Sequence, residues 1–154
     1  MMKLKDIFKW ERRLAAWHEA GHVVAAHHFG LPVRAEIFRL TDPKENEKTW
    51  SGRAIPYEIE TLRKCDRSVI GIAGSIAEKM LRERIVPELF LEDWQLGDVI
   101  PSPTDLKLIR PRWKERKRDV LRAVSVLQDR KYLFQEVLKS LERHEEVFLC
   151  PAVD

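Results

Sequence analysis

At 154 residues and 44% apolar content, the chain is long enough to bury one core and too apolar for a disordered segment. A net charge of +3 is too small by itself to imply a nucleic-acid or membrane partner, while 34% charged residues predict a wet surface of mixed sign. No apolar run reaches the length of a membrane span, and the charged start has no apolar stretch behind it. Cys65 and Cys150 lack C-x-x-C spacing, so a soluble cytoplasmic protein with free thiols is expected.

Residues 10 to 29 carry the first helical pattern. Leu14, Trp17, Gly21, Val24, Ala25 and His28 recur at three- and four-residue steps, and Gly30-Leu31-Pro32 ends the run. Inside it lies Trp17-His18-Glu19-Ala20-Gly21-His22, which reads H-E-x-x-H. Positions four apart share a helix face, so both imidazoles can reach one ion. Glu19 falls about 100° around from His18, beside such an ion, where a base takes a proton from metal-bound water. Two protein ligands leave a zinc site one short of the usual catalytic three. Gly21 within a helix costs about 1 kcal/mol relative to alanine, which close approach of another segment would justify.

Residues 33 to 40 alternate as a strand, Thr41 to Lys48 form a polar loop, and Thr49 to Ile55 form a second strand closed by Pro56. The pair predicts a small hairpin-like sheet with a long tip, whose open edge at Trp50, Ser51, Gly52 and Arg53 could accept an extended peptide. From Tyr57 to about Arg84 the pattern is helical, with an apolar face including Leu62, Val69, Ile72, Ile76 and Met80. Gly71, Ala73, Gly74, Ser75 and Ala77 keep its middle thin enough to pack closely on another helix. Residues 85 to 104, with Pro87, Gly97, Pro101 and Pro103, predict an irregular loop. A helical turn from Asp105 to Ile109 follows, capped by Thr104 or Asp105, and Pro111 interrupts it. A last long helix is expected from Arg112 to Arg143, with a loose tail from Cys150 to Asp154. The resulting fold class is mainly α with a small β-sheet (α+β): a zincin-like motif helix in a helical bundle with an edge strand. One domain spans residues 1–154.

Three residues compete to complete the metal site. His28 lies ten residues after His18, but the chain has Ala25 where a metzincin motif needs glycine. On an unbroken helix His28 is about 15 Å along the axis from His18, out of reach. Glu78, on the thin helix, could be a ligand, a group that orients a histidine N–H, or an ordinary surface acid. Asp105 could be a ligand or an N-cap. Spacing alone leaves Glu78 and Asp105 open.

The combination resembles the peptidase domain of the FtsH family of ATP-dependent zinc metalloproteases. The matching features are His18-Glu19-Ala20-Gly21-His22, the small-residue segment Gly71 to Ala77 ending in Glu78, and Thr104-Asp105-Leu106 at a helix start. The resemblance covers most of residues 10–146. It implies Zn2+ held by His18, His22 and Asp105, with Glu19 as general base and Glu78 as a nearby acid. It also implies a protein or peptide substrate paired along the strand from Trp50 to Ile55. The chain departs from that family in having no ATPase module, Walker lysine or membrane anchor. Proteolysis is therefore expected to be uncoupled from ATP unless a separate ATPase partner supplies it, and a homo-oligomer remains an option.

A second reading comes from Arg110-Pro111-Arg112-Trp113-Lys114-Glu115-Arg116-Lys117-Arg118, with six basic residues in nine. This segment could make the chain a catalytically inactive, zinc-stabilised adaptor for an acidic partner or nucleic acid. It has no groove-reading motif, and Glu115 dilutes it, so nucleic acid is not the expected partner. His27, His28 and His144 are not expected to be ligands, and the five tryptophans read as packing.

Overall fold

The computed structural model describes residues 2–44 and 48–151. Helix α1, Leu4–His28, carries the motif. It starts well before residue 10 because nothing between Leu4 and Lys9 breaks a helix. Its N-cap, Lys3, makes no side-chain cap that could mark the start in the sequence. Strands β1, Val33–Arg39, and β2, Trp50–Pro56, then pair antiparallel, with Ala35 opposite Ala54. Val33, Ala35 and Ile37 turn inward and are buried, which fixes the register. Of the polar loop between the strands, residues 45–47 lie outside the described residues.

The helix predicted from Tyr57 begins later. Glu58 sits at φ 62°, a 3-10 turn covers Ile59–Thr61, and α2 runs over Lys64–Arg82. α1 and α2 pack side by side. A Cβ at Gly21 would run into the carbonyl oxygen of Ala73 and lie 2.8 Å from the Ala77 Cβ. That contact is the close approach that offsets glycine's cost inside a helix.

The predicted loop at 85–104 is instead largely helical. α3 spans Pro87–Leu96 and α4 spans Pro103–Leu108. Pro87 and Pro103 occupy first-turn positions, where a missing N–H costs nothing, and Gly97 at φ 83° ends α3. The residues that read as loop markers are helix ends. The cap of α4 is Ser102, whose hydroxyl accepts from the Asp105 N–H, rather than Thr104 or Asp105.

The predicted last helix is two: α5, Trp113–Asp129, and α6, Lys131–His144, broken at Arg130 (φ −113°, ψ 32°). Sequence reading misses a strand that lies just before the tail expected to be loose from Cys150 to Asp154. Glu145 turns the chain at φ 61°, and β3, Glu146–Leu149, pairs antiparallel with β1. Residues 152–154 of that tail lie outside the described residues. The sheet order is β2–β1–β3, so β2 has a neighbour on one side only among the described residues.

Val23, Val24, Ile70, Ile72, Ile76, Phe90, Leu127 and Leu141 form a buried core between the helices and the inner face of the sheet. The protein is thus mainly α with one small antiparallel sheet, as the sequence predicts. No helix among the described residues is long and apolar enough to cross a membrane.

Candidate metal centre

His18 and His22 stand one turn apart on α1, against α2 and α4. The His22 Nδ1–H donates to the carbonyl oxygen of Ile70 on α2 across 2.7 Å. That bond fixes the tautomer and leaves a lone pair on Nε2 of the neutral ring. His18 Nδ1 lies 2.7 Å from Glu78 Oε1, an ion-pair contact without hydrogen-bond alignment. The two Nε2 atoms are 3.0 Å apart. Asp105, across the cleft on α4, sets Oδ2 at 3.2 Å from His18 Nε2 and Oδ1 at 3.3 Å from His22 Nε2.

The two imidazole nitrogens and the Asp105 carboxylate therefore converge, each nitrogen facing a different carboxylate oxygen at 3.2–3.3 Å, and one ligand atom from each residue lies within 4.8 Å of the others. Tetrahedral zinc with bonds of about 2.0–2.2 Å would separate its ligand atoms by about 3.3–3.6 Å. The nitrogen and oxygen donors and their spacing suit such an ion, and His18, His22 and Asp105 could hold one. Without a cation, a proton must occupy the cluster. Burial works against a charged His18, but Asp105, Glu78 and Glu19 outweigh it and push its pKa up to about 10. His22 is raised too, burial being outweighed chiefly by Asp105. Burial would raise Asp105, yet the two imidazoles hold its carboxyl well below the usual range.

The fit depends on a missing side chain. A Cβ at Gly74 would lie 2.5 Å from His22 Nε2 and 2.7 Å from His18 Nε2. α2 can flank the donor cluster only because that position is glycine.

Glu19 is 5% exposed, and its Oε2 is buried with no hydrogen-bond partner among the described residues. Burial pushes its carboxyl up, against the opposing pull of His22 and His18. Its neighbour is Gly52 on β2, where a Cβ would stand 2.6 Å from Glu19 Cγ and 2.8 Å from Oε1. The start of β2 is fastened to α1 by Glu11, which accepts from the Thr49 N–H at 2.6 Å and from the Thr49 hydroxyl. A cleft of about 840 Å³ runs over these groups, with Trp50, Ser51, Gly52 and Arg53 on one wall and Ser102 and Asp105 on the other. An unpartnered buried carboxylate in an open cleft can take a proton from water.

The structure brings together His18, Glu19, His22, Glu78 and Asp105. Glu78 meets the far nitrogen of His18 instead of joining the three converging donors. His28 is elsewhere, its Nδ1 accepting from Arg130 Nε at 3.1 Å. In the basic segment, Arg110 is turned onto the fully buried Asp119 through bonds of 2.9 and 2.7 Å. Arg116 donates to the Arg110 carbonyl and lies over the Trp94 ring. Those two cations serve the fold.

Sequence reasoning misses the Ile70 carbonyl, since a main-chain acceptor leaves no residue signature. It finds the thin helix but not that Gly74 faces the imidazoles. No protein-family model matches the chain, and no curated protein matches it.

Proposed function

We propose that the chain is a zinc-dependent metallopeptidase, similar in its site to the FtsH peptidase domain, that hydrolyses protein or peptide substrates without itself using ATP. The observation that carries this reading is the convergence of His18 Nε2, His22 Nε2 and the Asp105 carboxylate within 3.3 Å, with the unpartnered Glu19 carboxylate beside them.

Zinc bound there would polarise the scissile carbonyl and bring the pKa of water toward neutrality. Glu19, its carboxyl raised by burial, takes the proton from the attacking water and later hands it to the leaving amine. His22 is oriented by its hydrogen bond to Ile70, and Glu78 lies against the far nitrogen of His18. The edge of β2, unpaired among the described residues, receives the substrate backbone in extended form, and Gly52 lets Glu19 pack directly against that strand. The free thiols of Cys65 and Cys150 suit a reducing compartment such as the cytoplasm.

The test is zinc content together with hydrolysis of unfolded casein, with and without chelator, for the wild type and Glu19→Gln. The variant is expected to keep zinc and lose hydrolysis. Unchanged turnover in Glu19→Gln would sink the assignment, and zinc without hydrolysis in the wild type would favour the adaptor.

A further inference from the structure

The charges of the cleft are sorted by depth. Of its deep acids, Asp105 faces both histidines, Glu78 faces His18 and Glu11 holds Thr49, while Glu19 keeps one oxygen unpartnered among the described residues. Five basic side chains line the same cleft: Lys48, Arg53, Lys79, Arg82 and Lys107. Two are already committed. Lys79 reaches Glu83 at 3.1 Å and Asp93 at 2.8 Å, and Arg53 reaches Glu36 at 2.5 Å. Lys48, Arg82 and Lys107 are exposed, and no carboxylate among the described residues lies within ion-pair distance of them. Against these three, Asp98 is the one exposed acid lining the cleft among the described residues.

Their placement is not random with respect to the donor cluster. Lys48 lies two residues before β2, and Arg82 lies one turn beyond Glu78 on α2. Arg82 is therefore on the Glu78 side of the cleft, and Lys48 adjoins Thr49, which Glu11 fastens to α1. Lys107, two residues after Asp105, stands on the opposite wall.

We propose that the cleft selects acidic peptide segments, Lys48 and Arg82 receiving a substrate glutamate or aspartate beside the scissile bond. Lys107 extends the same preference to the other wall. This deepens the peptidase reading and rests on it for the scissile bond, but the charge selection can be read by binding alone. Exposed ion pairs are individually weak and screened by salt, so two of them give a preference of about five- to tenfold.

The experiment uses three labelled extended peptides identical except for glutamate, glutamine or lysine at the central positions. Binding to Glu19→Gln is measured by fluorescence anisotropy at low and high salt, and cleavage by the wild type is measured in parallel. The glutamate peptide is expected to bind about five- to tenfold more tightly than the glutamine one. The lysine peptide is expected to bind least, and the spread to shrink at high salt. Charge reversal by K48E/R82E, in the Glu19→Gln background, is expected to invert the order, with circular dichroism confirming an intact fold. Equal binding of the glutamate and glutamine peptides, no binding of any of them, or an unchanged order after charge reversal would each overturn the proposal. Preferential binding of the glutamate peptide with no cleavage by the wild type would sink the peptidase reading and leave the charge selection standing. Cleavage without preference would do the opposite.

Discussion

The Ile70 carbonyl oxygen and the His22 imidazole stand 2.7 Å apart across the α1–α2 contact. A backbone acceptor on one helix thus sets the tautomer of a donor on the next, and the spacing between the two helices becomes part of the chemistry. That spacing is held by Gly21 on one side and Gly74 on the other, each facing atoms that a methyl group would strike.

Gly74→Ala is the most direct probe of this dependence. Helix propensity favours the alanine by about 1 kcal/mol, but its Cβ would sit 2.5 Å from His22 Nε2. The variant is expected to keep its helical circular dichroism and to bind zinc at least about tenfold more weakly. Wild-type zinc affinity in Gly74→Ala would show that the site does not use both Nε2 atoms.

Asp105→Asn removes the negative charge from the donor cluster while keeping the shape of α4. Zinc affinity is expected to fall by about a hundredfold or more, read by competition with a chromophoric chelator. Full zinc occupancy under the same competition would return the third-ligand role to Glu78.

The metal-free and zinc-loaded forms are expected to respond to pH in opposite senses. His18 has a folded pKa of about 10 against an ordinary 6.5, so without metal its contribution to stability is full below about pH 6.5. That contribution is lost as pH climbs toward 10. Zinc uptake displaces the same proton, so the rise in melting temperature on adding zinc should grow from pH 6 to 8. Titration calorimetry at pH 7 in buffers of different ionisation enthalpy should register about one proton or more released per zinc. Zinc uptake with no proton release would contradict the assignment of His18 Nε2 as a donor.

Asp119→Asn tests the clasp behind α4. Asp119 is fully buried and pairs two oxygens with Arg110, whose backbone N–H donates to the buried Ser68 hydroxyl at 3.0 Å. Because Arg110 is 21% exposed, the loss is expected to be about 1–3 kcal/mol, measurable by urea unfolding. Because Arg110 follows α4 directly, zinc affinity should fall along with stability. A loss of stability with zinc affinity intact would separate the clasp from the placement of Asp105.

How far the sequence reveals this arrangement depends on how local the signal is. The motif on α1, the paired strands and the thin middle of α2 are all written in short-range patterns and are all present, although α1 starts earlier and α2 later than their patterns suggest. Pro87, Gly97 and Pro103 mislead because the same residues punctuate loops and helix ends; only the length of the stretch between them tells the two apart. The break at Arg130 has no proline or glycine to announce it. Its side chain instead reaches back to His28, a contact 102 residues away in sequence. β3 is short and pairs with a strand more than a hundred residues earlier, so its alternation alone says little. Asp105 reads equally well as a cap or a ligand. Only the packing of α4 against α2 brings its carboxylate to the imidazoles, and Ser102 takes the capping role.

His18 and Asp105 are separated by 87 positions. An ion gripping both would act as a removable staple, closing a loop long enough that a covalent cross-link of similar span would be worth about 4–5 kcal/mol in chain entropy. Both strands of the hairpin and the whole of α2 lie within that loop. Metal supply would then set what fraction of the chain is folded at equilibrium.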